Sequence, residues 1–122
     1  MKKIVIVEDH LETAEMIKMV LKPRGYELYH TPDGERAIEL IRQNQPDIIL
    51  LDVMLPGMDG YSIQSALLED PELKNIPILI MTSKPKTEEI FQTATNVLGF
   101  IEKPFVVKDF VKMVEDILEQ KK

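Results

Sequence analysis

The sequence predicts a single α/β domain: a doubly wound, five-stranded parallel sheet with helices on both faces. Three observations carry this. Short apolar runs alternate with stretches of helical period five times along the chain. The runs Ile4-Val5-Ile6-Val7, Ile48-Ile49-Leu50-Leu51 and Ile78-Leu79-Ile80-Met81 are uninterrupted by polar residues, as strands buried on both faces require. No linker, low-complexity tract or internal repeat divides residues 1–122. Strand–helix alternation of this kind demands parallel strands joined by crossover helices.

Each element has its own signal. After the first strand, Leu11, Ala14, Ile17, Val20 and Leu21 keep to one helical face, and Pro23 and Gly25 end that helix. Glu27-Leu28-Tyr29-His30 alternates in polarity, as an edge strand should. Asp33-Gly34 opens a second helix with Ala37, Ile38 and Ile41 inward. The third strand, Ile48 to Leu51, leads into the loop Leu55-Pro56-Gly57-Met58-Asp59-Gly60 and a helix near Tyr61–Leu68. After the fourth strand, Ile90, Phe91, Ala94, Val97 and Leu98 mark a fourth helix, and Gly99-Phe100-Ile101-Glu102 forms the fifth strand. The last helix carries the clearest stripe: Val107, Phe110, Val111, Val114, Ile117 and Leu118.

Composition narrows the function. A chain of 122 residues with 44% hydrophobic and 30% charged residues is ordinary for one globular domain. The net charge of −6 argues against a general nucleic-acid or anionic-membrane surface. With no cysteine, thiolate metal sites, disulfides and cysteine nucleophiles are excluded. The apolar stretch after Met1-Lys2-Lys3 stops at Glu8, too short for a secretory core, and no segment is long enough to span a bilayer. A cytoplasmic location is expected.

The chemistry gathers at strand ends. Asp52 follows Ile48–Leu51 directly, where open α/β sheets hold ligands, beyond the carboxyl ends of the strands. The first strand ends in Glu8 and Asp9, the fourth in Thr82-Ser83, the fifth in Lys103-Pro104. Side by side, these strands bring three carboxylates, a hydroxyl and an ammonium to one edge, a site for a divalent cation and a phosphoryl group. Taken alone, Glu8-Asp9 reads as a helix cap worth about 1 kcal/mol, Thr82 as a turn residue, and Lys103 as a solvated loop residue. Asp52 resists such a reading, because a carboxylate ending a buried strand is costly unless a cation or hydrogen bonds offset it. Three hard carboxylates suit Mg²⁺, which keeps waters while taking one or two of them.

With these residues in place, the chain resembles the receiver domain of two-component response regulators. The likeness rests on Glu8-Asp9, Asp52, Thr82, Lys103-Pro104-Phe105 and the loop Leu55–Gly60, each after the expected strand, and spans essentially the whole chain. It implies a flavodoxin-like fold with strand order 2-1-3-4-5. It implies Asp52 as phosphoacceptor, with Mg²⁺ held directly by Asp9, by Asp52, by the backbone carbonyl of Met54, and by Glu8 largely through water. Lys103 and Thr82 would contact the phosphoryl group, Thr82 and Phe100 would form the switch, and the Lys103-Pro104 bond would be cis. The implied partners are a histidine kinase or histidine phosphotransfer protein as donor, and a downstream protein target. Such a protein is not an enzyme beyond its own phosphorylation and dephosphorylation.

Three features depart from the family's habit. Asn96-Val97 stands where Gly-Ala is frequent, and asparagine tolerates the left-handed backbone. Ser83 replaces a frequent alanine and is still small. Phe100 has no hydroxyl, so switching there must be steric. In such receivers the positions two residues past the phosphoacceptor and past the hydroxyl flank the path of attacking water. Here they are Met54, which offers no hydrogen bond to orient it, and Lys84, which would shield the phosphoryl group, so the resemblance implies slow self-dephosphorylation.

Other readings fit less well. A flavodoxin-type FMN site would need a hydroxyl- and glycine-rich loop where Glu8-Asp9 stands. A haloacid-dehalogenase-like phosphatase would need a second acid where Met54 stands. A degenerate receiver acting only as a protein-interaction module is weakened because all five site residues are present. His10 reads as a solvated residue and His30 as remote on the edge strand. Met16, Met19, Met54, Met58, Met81 and Met113 read as fillers of core and loop gaps. The chain ends after the fifth helix, which contains no arginine, so a monomer signalling through a heterologous protein contact is expected.

Overall fold

The computed structural model describes residues 1–55, 58–83 and 87–120. Among these the chain forms β1 (Lys3–Val7), α1 (Leu11–Leu21), a 3-10 turn (Lys22–Arg24), β2 (Glu27–Thr31), α2 (Gly34–Asn44) and β3 (Ile48–Asp52). It continues through α3 (Gly60–Glu69), β4 (Ile78–Thr82), α4 (Thr87–Ile90), β5 (Val97–Glu102) and α5 (Val107–Gln120). The strands form one parallel sheet in the order β2-β1-β3-β4-β5. This is the doubly wound, flavodoxin-like layout that the alternation and the resemblance predict. The Lys103-Pro104 peptide is cis, as expected.

Strand alternation divides the core. Ile4, Ile6, Ile48, Leu50, Leu79, Met81 and Ile101 face one side and pack with Ile17 and Leu21 of α1 and Phe110, Val114 and Ile117 of α5. Val5, Val7, Ile49, Leu51, Ile78 and Ile80 face the other side with Ala37 and Ile41 of α2 and Ile63 and Leu67 of α3. A two-residue period then assigns sides beyond the strands as well. Glu8, Asp52 and Lys103 continue the rows Ile4-Ile6, Ile48-Leu50 and Ile101, so all three fall on the α1/α5 side. The register brings their ends level: Val7 lies opposite Leu51, Asp52 opposite Met81, and Thr82 opposite Glu102.

Short-range chemistry sets the loops above this edge. Asp33 caps α2 by accepting from the Glu35 N–H at 2.9 Å, and Asp59 caps α3 by accepting from the Ser62 N–H at 2.8 Å. The Gly60 N–H donates to the Val53 carbonyl at 3.0 Å, folding the chain back over β3. A Cβ on Gly60 would lie 2.7 Å from Val53 Cα and 2.8 Å from the Asp52 carbonyl oxygen. Both obstacles are backbone, so Gly60→Ala should cost about 1–3 kcal/mol through overpacking. A urea midpoint unchanged from wild type would contradict this.

Four expectations need correction. Val97 and Leu98 belong to β5, not to the fourth helix, which stops at Ile90. Val97 pairs with Ile78, and the Ile78 N–H donates to the Asn96 carbonyl at 2.8 Å; ladder bonds to a buried neighbour outweigh a helical spacing of apolar residues. Asn96 does not use a left-handed backbone. It is buried, and its side chain accepts from Gln64 Nε2 at 2.9 Å while donating to the Gln64 carbonyl at 3.3 Å. Leu11 opens α1 past the sheet edge and is exposed, leaving Ala14, Ile17 and Leu21 as the inward stripe. Met19 and Met54 are exposed rather than gap-filling, unlike the fully buried Met81.

Candidate functional site

Three of the predicted side chains meet above the carboxyl ends of β1, β3 and β5. Asp52 is 2% exposed and Glu8 fully buried. Lys103 reaches between them, with Nζ 2.5 Å from Glu8 Oε1 and 3.2 Å from Asp52 Oδ2. The other oxygen of each acid is also occupied. Asp52 Oδ1 accepts from the Met54 N–H at 3.1 Å, and Glu8 Oε2 accepts from the His10 N–H at 3.0 Å. Asp9 joins them at the surface with its side chain 30% exposed. Its Oδ1 is nevertheless a buried atom with no hydrogen-bond partner among the described residues. His10 Nδ1 stands 3.4 Å from that oxygen.

The charges do not balance. Three carboxylates face one ammonium in a partly desolvated pocket, where charge is expensive. The Asp52 carboxyl is accordingly held above its usual range. Burial is the main cause, followed by the neighbouring Glu8, while Lys103 and the Met54 N–H pull the other way. Glu8, Asp9, His10 and Asp52 can each point one ligand atom into a cluster in which all lie within 4.8 Å of one another. A buried oxygen without a hydrogen bond, surplus negative charge and a donor set rich in carboxylate oxygen fit a hard divalent cation.

The remaining predicted residues surround this centre. Thr82 ends β4 and is buried, and its carbonyl accepts from the Lys103 N–H at 2.6 Å, tying β4 to the turn that presents the lysine. Phe100 is half-buried on the opposite sheet side from Lys103, packed with the α2/α3 core. It begins an aromatic row: its centroid is 6.0 Å from Phe91, which is 5.8 Å from Tyr61. Lys84, with Pro56 and Gly57 of the β3–α3 loop, lies outside the described residues.

Both histidines were underestimated from sequence. His30 is not remote, because its Nε2 lies 2.8 Å from the Glu8 carbonyl oxygen and, as the protonated nitrogen, bonds to it. His10 is exposed as expected, yet its Nδ1 also lies 3.2 Å from Glu8 Oε2. For His30 the signal was its register opposite Ile6, two residues before Glu8. For His10 it was adjacency to the acid pair.

Comparison with known proteins agrees with this geometry. The family model described as the response regulator receiver domain matches residues 4–115. A candidate response regulator from Chloroflexus aurantiacus J-10-fl has a similar structure, with 33% identity and a TM-score of 0.88, over 97% of this chain and 98% of that one. The receiver domain of a signal transduction histidine kinase from Syntrophus aciditrophicus is 31% identical, TM-score 0.88, over 98% of this chain and 92% of that one. The chemotaxis protein CheY4 of Vibrio cholerae is 26% identical, TM-score 0.87, over 96% and 98%. Among the described residues, no helix is long and apolar enough to cross a membrane. A parallel 2-1-3-4-5 sheet, an acidic cluster at its carboxyl edge and a family match over most of its length lead to one conclusion: this chain belongs to the response regulator receiver domain family of two-component signalling.

Proposed function

We propose that the protein is a phosphoacceptor whose Asp52 takes a phosphoryl group from a phosphohistidine on a histidine kinase or histidine phosphotransfer protein. The observation that carries this is the position of Asp52, buried at the end of β3 with Oδ2 3.2 Å from the Lys103 ammonium and within the acidic cluster. The Asp52 carboxylate attacks phosphorus in line, a P–O bond forms, the P–N bond breaks, and the electron pair leaves with the donor imidazole. Lys103, already between Glu8 and Asp52, follows the new negative charge. Thr82 donates its hydroxyl to a phosphoryl oxygen. Asp9 and Asp52, with the Met54 carbonyl, would hold Mg²⁺; Glu8, whose oxygens already serve Lys103 and His10, would reach it through water. When bound there, the ion would supply charge neutralisation for the phosphoryl oxygens. Catalysis is then positioning and electrostatics, and the protein turns over only its own phosphorylation state.

The test is direct. Incubation with acetyl phosphate should give an acid-stable, base-labile adduct only when Mg²⁺ is present, and borohydride trapping should map it to Asp52. Labelling that survives chelation, or that maps elsewhere, rejects the reading.

Output would begin with Thr82 moving toward the phosphoryl group and leaving room for Phe100 to turn, a local charge event acting on a bistable side chain. Phe100→Ala should leave Asp52 labelling within about twofold of wild type, because the ring packs on the opposite side of the sheet from Asp52 and Lys103, while removing the two-state behaviour. Amide NMR shifts of residues 97–102 on adding beryllofluoride and Mg²⁺ check this. Wild-type-sized shifts in the variant would break the link.

A further inference from the structure

We infer that His10 is a metal ligand that fits the acidic cluster to a first-row transition cation, Zn²⁺ or Mn²⁺, as well as to magnesium. This deepens the proposal above and rests on its reading of Asp9 and Asp52 as the cation site. His10 immediately precedes α1, but its side chain makes no capping hydrogen bond, so the imidazole is not engaged in holding the helix. Instead Nδ1 turns to the acids, 3.2 Å from Glu8 Oε2 and 3.4 Å from Asp9 Oδ1. That second oxygen is the buried one without a hydrogen-bond partner. The imidazole nitrogen belongs to the same group of atoms, mutually within 4.8 Å, as the oxygens of Glu8, Asp9 and Asp52. The ring itself is 68% exposed, free to rotate the short distance from acceptor to metal.

Ligand type then decides selectivity. Magnesium takes oxygen donors and keeps its waters, so a nearby imidazole adds little to it. Zinc and manganese accept imidazole, and affinities for a mixed nitrogen–oxygen site rise from manganese to zinc. The competing role is positional: His10 could merely orient Glu8, in which case its loss would weaken every cation alike.

Calorimetric titration of untagged protein with Mg²⁺ and with Zn²⁺ separates the two roles. His10→Ala should weaken Zn²⁺ by at least about tenfold and Mg²⁺ by less than about twofold, and Mg²⁺ should compete with Zn²⁺ in the wild type. The wild-type Mn²⁺ complex should show ¹⁴N modulation in electron spin-echo spectra, and the variant should lack it. Equal weakening of both cations, no weakening, zinc that magnesium does not displace, or no ¹⁴N signal each overturns the assignment while leaving the magnesium site intact. If Asp9→Asn leaves Mg²⁺ binding unchanged, the underlying cation site is wrong, and His10 falls with it.

Discussion

Replacing Lys103 with methionine should destabilise the cation-free protein by about 3–5 kcal/mol at neutral pH, the usual consequence of removing one partner from a buried ion pair. Glu8 is fully buried and Asp52 nearly so, and Lys103 is within hydrogen-bonding distance of both. Methionine retains the bulk of the side chain while withdrawing the charge, leaving two neighbouring carboxylates with no cation between them. Protonation of Asp52, whose carboxyl is already shifted upward, relieves the repulsion, so the deficit should shrink as pH falls. A second substitution, Glu8→Gln, should restore most of the lost stability. Urea unfolding of the single and double variants with chelator present, at neutral and mildly acid pH, provides the measurement. A single-variant loss under about 1 kcal/mol would show that solvent, not Lys103, screens these acids.

Asp52→Asn should do two opposite things. It should abolish labelling by acetyl phosphate, since the amide is no nucleophile. It should also stabilise the cation-free protein, because burial beside Glu8 opposes ionisation of the carboxyl. The sign follows from the carboxyl's upward shift. A folded pKa raised above the unfolded value means that folding is opposed wherever the group must ionise, and that wild-type stability increases as pH falls through the folded pKa. Asparagine removes that opposition, so the difference between variant and wild type should be largest at neutral pH and fade in acid. Mg²⁺ should raise the wild-type melting temperature and move the variant's far less. Retained labelling in the variant would refute the nucleophile, and a lower cation-free stability would refute the charge surplus.

Much of this was legible in the residues. The three central strands announced themselves because they are buried on both faces, and such strands are continuous aliphatic runs. Strand-end positions then predicted which polar groups would meet. The misreadings have a common cause. Val97 and Leu98 fit a helical period and a strand equally well, and only hydrogen bonds to β4, distant in sequence, decide between them. Asn96 suggested a turn because asparagine often serves one, whereas its partner lies 32 residues away. His30 seemed peripheral because an edge strand is peripheral to the sheet, yet its register places the ring against the Glu8 carbonyl. Local chemistry is written in order along the chain; cross-strand bonds are not.

The Gln64–Asn96 pair also constrains how this sequence can drift. Two buried amides bind α3 to the start of β5, each meeting a need of the other. Changing either one alone strands a polar group away from water, so a single substitution should cost stability where a coordinated double change need not. The two positions, 32 residues apart, thus act as one unit whose substitutions should be non-additive: a path that replaces them one at a time passes through a less stable intermediate unless stability is first gained elsewhere.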